Sequence, residues 1–222
     1  MAFIEGALLK MTESEQIPGL LSVHLLLPES LERRLERWTK KMPGTSWPAW
    51  GGHITLVPNF APRGTMAEVR AIVEATCADR KPFPVRLAEP LSVRDTTRPD
   101  YCAVFLAVAD QVEYQGVEDE DDRPHQQLHE LRETLLAALE PLREDIRPEL
   151  LEQPFLPHVT LALGLGETEA THLVRAIRED PLIAEFVVET VWLVRQRSGE
   201  EKRYDRYPIP LGGIARAEMW RD

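Results

Sequence analysis

His53-Ile54-Thr55-Leu56 and His158-Val159-Thr160-Leu161 are two copies of one four-residue pattern, 105 residues apart in a chain of 222. Both lie in apolar surroundings of strand character, at 52–57 and 157–163. Residues i and i+2 of a strand point to one face, so each copy sets an imidazole beside a hydroxyl and turns its two aliphatic residues the other way. One His-x-Thr-apolar tetrapeptide is commonplace by composition; two, at the same place in a recurring order of elements, are not. Imidazole titrates near pH ~6.5 when unperturbed, so a facing pair can hold one neutral base and one protonated acid. Such a pair can take a proton from an attacking water and give one to a departing oxygen. The threonine hydroxyls can donate hydrogen bonds to the non-bridging oxygens of a phosphoryl group.

The paired motifs resemble the hallmark of the two-histidine phosphoesterases, the superfamily containing bacterial 2′-5′ RNA ligases and RNA 2′,3′-cyclic phosphodiesterases. Phe155-Leu156-Pro157 is similar to the aromatic-x-Pro that often precedes the second motif there, and the likeness spans nearly all of the chain after about Pro18. The resemblance implies a bilobal, pseudo-twofold α+β fold: two antiparallel sheets facing across a cleft, with helices on the outside. It implies that His53, His158, Thr55 and Thr160 are catalytic, without cofactor or metal, and that 2′,3′-cyclic phosphate or 2′-5′ linked nucleotide or RNA ends are opened, with 2′-5′ ligation as the reverse. It also places phosphate or base contacts at Arg195, Arg197, Tyr204 and Tyr207, although that basic cluster is equally what an exposed hairpin looks like. Where many RNA-acting members carry a basic residue after the second motif, this chain has Leu163-Gly164-Leu165, which points away from long RNA.

Trp50 and Phe155 flank the motifs and are candidate stacking surfaces for a base, with core packing an equal contender. Two other classes compete with a phosphodiesterase. A cleft that binds a nucleotide or RNA end without turnover is disfavoured by the intact motifs. A metal-dependent hydrolase ligated by His53 and His158 is disfavoured because zinc takes three or four protein ligands, and no carboxylate or cysteine recurs beside both motifs.

The bulk composition, 43% hydrophobic and 28% charged, is that of a soluble globular chain. A net charge of −11 and a pI near 5.1 oppose binding to long duplex nucleic acid and leave a small nucleotide or RNA terminus as partner. Cys77 and Cys102 form no disulfide framework and read as free, partly buried thiols. No segment has the length of a membrane span, and a cytoplasmic monomer is expected.

The elements that must position the motifs follow from periodicity. Residues 1–17 read as an extension, and 18–222 as one bilobal domain with halves at about 18–109 and 124–211. Leu20 to Leu27 is a strand in which His24 shares a face with Ser22 and Leu26. Leu31, Leu35, Trp38 and Met42 mark an amphipathic helix, and Thr65-Met-Ala-Glu68 has capping-box form ahead of another. Val85 to Val93 and Tyr101 to Val108 are strands. The acidic stretch 110–123 is a connection between halves, and Leu128, Leu131, Leu135 and Leu139 mark a helix running to Leu142. After the second motif come a helix from about Glu167 to Arg178, one strand from Phe186 to Arg195, a turn at Ser198-Gly199 and a last strand from Tyr204 to Leu211. His125, His129 and His172 read as surface residues.

Overall fold

A computed structural model of the chain describes residues 19–40, 51–94, 100–109, 124–179, 184–197 and 204–212. The extension, Trp50, the acidic stretch and the Ser198-Gly199 turn lie outside them. In chain order the elements are β1 (Gly19–Leu26), α1 (Glu29–Thr39), β2 (His53–Pro62), α2 (Met66–Ala78), β3 (Phe83–Arg94) and β4 (Cys102–Val108). Then follow α3 (Pro124–Leu139), β5 (Arg143–Asp145), β6 (His158–Leu165), α4 (Glu167–Glu179), β7 (Ala184–Val188), β8 (Thr190–Arg197) and β9 (Tyr204–Pro210). None of the described helices is long and apolar enough to cross a membrane.

The expected α+β architecture is present, with its two sheets continuous along one edge. The strand order is β7-β3-β4-β6-β2-β1-β8-β9, with β5 added beside β2, and every pairing is antiparallel. The two motif strands meet in the middle, where Ile54 pairs with Val159. To one side of that seam lie β6, β4, β3 and β7; to the other lie β2, β1, β8 and β9.

Pairing therefore cuts across the halves read from sequence. β3 and β4, from the first half, build the wall that carries the second motif, while β8 and β9, from the second half, flank β1 beside the first. The strand expected from Phe186 to Arg195 is two strands. The chain leaves β7, which pairs with β3, and after Glu189 enters β8, which pairs with β1 on the other side of the seam.

One face of this sheet carries the core. Leu21, Val23, Leu25, Ile54, Leu56, Phe60, Leu106, Val159, Leu161, Val191 and Leu193 are buried with the inner faces of the helices. α2 and α3 pack on each other; α2 covers β8 and β9, α3 covers β2 and β3, and α4 lies on β3 and β4. α3 contributes Leu128, Leu131, Leu135 and Leu139, all fully buried at helical spacing; each is worth about 1.5–3 kcal/mol of transfer free energy. That helix stops at Leu139, and a short 3-10 turn at Glu140–Leu142, with Pro141 in its first turn, leads into β5. α2 begins with the anticipated capping box: the Glu68 amide donates to Thr65 Oγ1 at 3.2 Å and the Thr65 amide to Glu68 Oε2 at 2.7 Å. Both cysteines are buried and free, and burial pushes the Cys77 thiol up to about 12.

Candidate active site

The face opposite the core carries the motif side chains. Because Ile54 pairs with Val159, continuing the antiparallel register sets His53 across from Thr160 and Thr55 across from His158. The two imidazoles and two hydroxyls alternate around the seam, all four half-buried. Proximity has an electrostatic consequence, since a charge on His158 makes a charge on His53 less favourable.

Each histidine is aimed by the same device. His53 donates from Nδ1 to the Gly51 carbonyl at 2.8 Å, and His158 donates from Nδ1 to the Leu156 carbonyl at 2.7 Å. A proton fixed on Nδ1 leaves Nε2 to accept or release one. The carbonyl just before each histidine is pinned as well: Leu27 N–H donates to Gly52 O and Val108 N–H to Pro157 O, both at 2.9 Å. Ring orientation is thus built into the backbone before any ligand arrives.

The neighbours on the adjoining strands complete the pseudo-symmetry and also break it. His24 of β1 pairs with Thr55, and Phe105 of β4 pairs with Thr160. His24 meets the His53 ring edge-to-face at a centroid distance of 4.5 Å, whereas Phe105 stacks on His158 at 4.0 Å. His24 faces the site side yet is only 2% exposed, with Nε2 2.7 Å from Ser22 Oγ. Burial, and then repulsion from His53, hold it well below the ordinary imidazole value. Burial also lowers His158, against the Leu156 carbonyl. For His53 burial again dominates, with the Gly51 carbonyl raising the value, His158 lowering it and Glu32 raising it.

Glu32 reaches the site from α1, where Oε1 accepts from the Gly52 amide at 3.1 Å. Beside Thr55 lies a cavity of about 230 Å³. His24, Pro58 and Asn59 line it from β1 and β2, and Ile146, Arg147 and Leu150 from the segment after β5. Among the described residues, no group of three or more His, Cys, Asp or Glu side chains is placed to hold a metal ion.

The other residues singled out from sequence stand elsewhere. Arg195 pairs across strands with Leu21 and Asp205, and Tyr207 with the buried Leu193, so Arg195, Arg197 and Tyr207 share the core face and point away from the imidazoles. Both arginines are occupied by Asp205: Arg195 Nη2 at 2.6 Å and Arg197 Nε at 2.7 Å. Tyr204 pairs with Gln196 on the site face, towards the far end of the wall. Phe155 packs on α3, edge-to-face with His129 at 5.0 Å and under the Arg132 guanidinium at 4.6 Å, and so anchors the approach to the second motif. His129 is consequently half-buried, whereas His172 is on the surface as expected.

Sequence reasoning passed over Glu32, Phe105 and the cavity residues, and gave His24 a core or edge position. It also missed Trp192, which pairs with His24, and it took Arg206 only as one member of the basic hairpin cluster, without placing it on the site face, where it pairs with Val194. Strand alternation in β8 and β9, counted outward from His24, would have singled out both.

A family model for the 2′-5′ RNA ligase superfamily matches residues 27–200. Among solved structures, TT0787 of Thermus thermophilus is similar with a TM-score of 0.56 at 19% identity, over 87% of this chain and 98% of that one. LigT of E. coli in its apo form aligns with a TM-score of 0.52 at 16% identity, over 86% of this chain and 95% of that one. LigT complexed with NADP+ aligns with a TM-score of 0.51 at 16% identity, over 88% and 98%. No match was found among curated proteins.

Proposed function

The chain belongs to the 2′-5′ RNA ligase superfamily, and from that premise we propose that it opens 2′,3′-cyclic phosphate or 2′-5′ linked ends of nucleotides or RNA by paired-histidine acid-base catalysis. One observation carries this reading. Two imidazoles, each clamped at Nδ1 by the carbonyl two residues earlier, stand on adjoining strands with a threonine hydroxyl across from each. The base takes a proton from water as it attacks phosphorus. The acid protonates the ribose oxygen as its bond to phosphorus breaks, and the hydroxyls stabilise charge on the non-bridging oxygens. With a 5′-hydroxyl in place of water, the same base takes the hydroxyl proton as the 5′ oxygen bonds to phosphorus, the same acid protonates the 3′ oxygen as its bond to phosphorus breaks, and a 2′-5′ linkage results. All of the chemistry is supplied by side chains, so chelation is expected to leave the rate intact.

The cavity beside Thr55 is where we place the nucleoside next to the phosphate. Pro58, Ile146 and Leu150 offer apolar walls, and Asn59 offers an amide able to donate and accept. E. coli LigT has been seen with NADP+ and with phosphate, which supports a small nucleotide as ligand here. The acidic net charge of −11 supports a short substrate over a long duplex. Two free thiols fit the cytoplasm as compartment.

The test is hydrolysis of nucleoside 2′,3′-cyclic monophosphates, and of a short RNA ending in a cyclic phosphate, with EDTA present. Wild-type turnover should survive the chelator and fall by at least about a thousandfold in His53→Ala and in His158→Ala. Either variant retaining near-wild-type activity defeats the assignment.

A further inference from the structure

We propose that the site face of β6, β4 and β3 beyond Thr160 is an uncharged subsite for a nucleobase, with Leu163 as its specificity-determining residue. Resting on the reaction proposed above, this subsite selects between its two substrate classes. It fits a 2′-5′ linked dinucleotide, with a nucleoside on either side of the phosphate, better than a 2′,3′-cyclic mononucleotide.

Both motif strands break register just after their threonine. In β6, Thr160 pairs with Phe105 but Ala162 with Val104, one position out of step. Leu161 and Ala162 are consequently both buried, and alternation resumes with Leu163 on the site face. In β2 the same shift after Thr55 buries Leu56 and Val57 together and turns out Pro58, which lines the cavity. Leu163 is thus the pseudo-twofold counterpart of Pro58. Because β2 and β6 are antiparallel, these two residues lie beyond opposite ends of the group of four motif side chains. A substrate whose phosphate sits among those four meets the cavity on one side and Leu163 on the other.

The surroundings of Leu163 are apolar and open. Ala103 lies across from it, Val93 is next on β3, and a Cβ on Gly164 would lie 4.0 Å from the Tyr101 ring. Leu163, Val93 and Tyr101 are 45%, 42% and 43% exposed, and they are neighbours rather than scattered single residues. Towards the motif the cluster continues into Phe105, which stacks on His158, so this shelf and the seam are one surface. Arg94, which follows Val93, is turned to the opposite face and pairs with Glu167 at 3.0 Å. The shelf residues offer a further phosphate no charge, whereas the flat face of a base gains by stacking on a tyrosine ring and aliphatic side chains. With the first nucleoside in the cavity, the one on the shelf is joined through its 5′ oxygen. Water adds to phosphorus as one imidazole takes its proton, and that 5′ oxygen leaves with the proton given by the other.

The test compares kcat/KM for 2′-5′ linked diadenosine monophosphate, the same compound lacking the base of its 5′-linked nucleoside, and adenosine 2′,3′-cyclic monophosphate. Wild type should open the complete dinucleotide at least about tenfold faster than the compound without that base, and faster than the cyclic phosphate. In Leu163→Ser the advantage given by the base should shrink to about twofold; Val93→Ser, on a neighbouring strand, repeats the measurement should Leu163→Ser not fold. Indifference of wild type to the base, or a full advantage kept in both variants, overturns the subsite. A butyl ester of adenosine 2′-phosphate opened as readily as the dinucleotide overturns the nucleobase as its occupant. If the cyclic phosphate is the faster substrate, the preference is overturned and the paired-histidine reaction stands. If wild type opens neither, reaction and subsite fall together.

Discussion

In the proposed reaction, a threonine across from each imidazole supplies the phosphate with two donors whose positions are fixed by strand register. Their contribution should appear where charge builds up, in the transition state. Thr55→Val and Thr160→Val preserve the branched shape and remove the hydroxyl, so each should lower kcat by about ten- to a hundredfold with little change in KM. Steady-state kinetics on a cyclic nucleotide would show this, and an effect confined to KM would make the hydroxyls binding groups only. The four motif residues were legible in the sequence because strand alternation links each His to its Thr without reference to the rest of the chain. Glu32 was not legible, since its hydrogen bond reaches an amide 20 positions away, in the peptide group whose carbonyl accepts from His53. Phe105 was hidden for a similar reason: in an interior strand apolar on both faces, composition does not distinguish a residue that stacks on a motif imidazole from one that fills the core.

At the scale of elements, face decides function more than residue type does. Arg195 and Arg197 are the kind of residue a phosphate site needs, yet β8 turns them to the side of Leu21 and Leu193 and gives both to Asp205. Arg197→Ala should therefore leave kcat/KM within about twofold of wild type, as expected of an exposed ion pair; a tenfold rise in KM would return the hairpin to the site. The loop before β2 makes the opposite prediction. Gly51 has φ +97°, and a Cβ there would lie 2.7 Å from Glu32 Oε1. Gly51→Ala should cost about 1–3 kcal/mol of stability and also lower kcat, because the carbonyl that aims His53 has to shift. Denaturant unfolding and turnover would measure the two effects separately. The break between β7 and β8 was in fact written in the sequence. Buried residues fall at 186 and 188 and then at 191 and 193, a change of phase at Glu189. Alternation was read without its phase, so two strands bound for opposite sides of the seam looked like one.

Across the whole molecule, the pseudo-twofold pairs a histidine in one wall with a phenylalanine in the other. His24 and Phe105 each lie across from a motif threonine and against a motif imidazole, but only His24 can titrate. In the unfolded chain His24 binds a proton near pH ~6.5, whereas in the fold burial and the nearby His53 hold it well below that. Above pH ~6.5 it is neutral in both states and stability does not depend on it. As pH falls below that value the unfolded chain takes up a proton that the folded chain refuses, so stability declines until the folded value is reached. The slope for one such group approaches about 1.4 kcal/mol per pH unit. His53 and His158 are lowered in the same direction and add to it. Urea unfolding at pH 7.5 and at pH 5 should show wild type losing stability through His24, on top of whatever the carboxylates contribute. His24→Phe installs the side chain used in the opposite wall and leaves the carboxylates unchanged. Whatever the substitution does to absolute stability, the difference between the two pH values should shrink. An equal pH difference in both proteins would mean that His24 takes up its proton in the folded state, and that the β1 wall tolerates a charge directly behind His53.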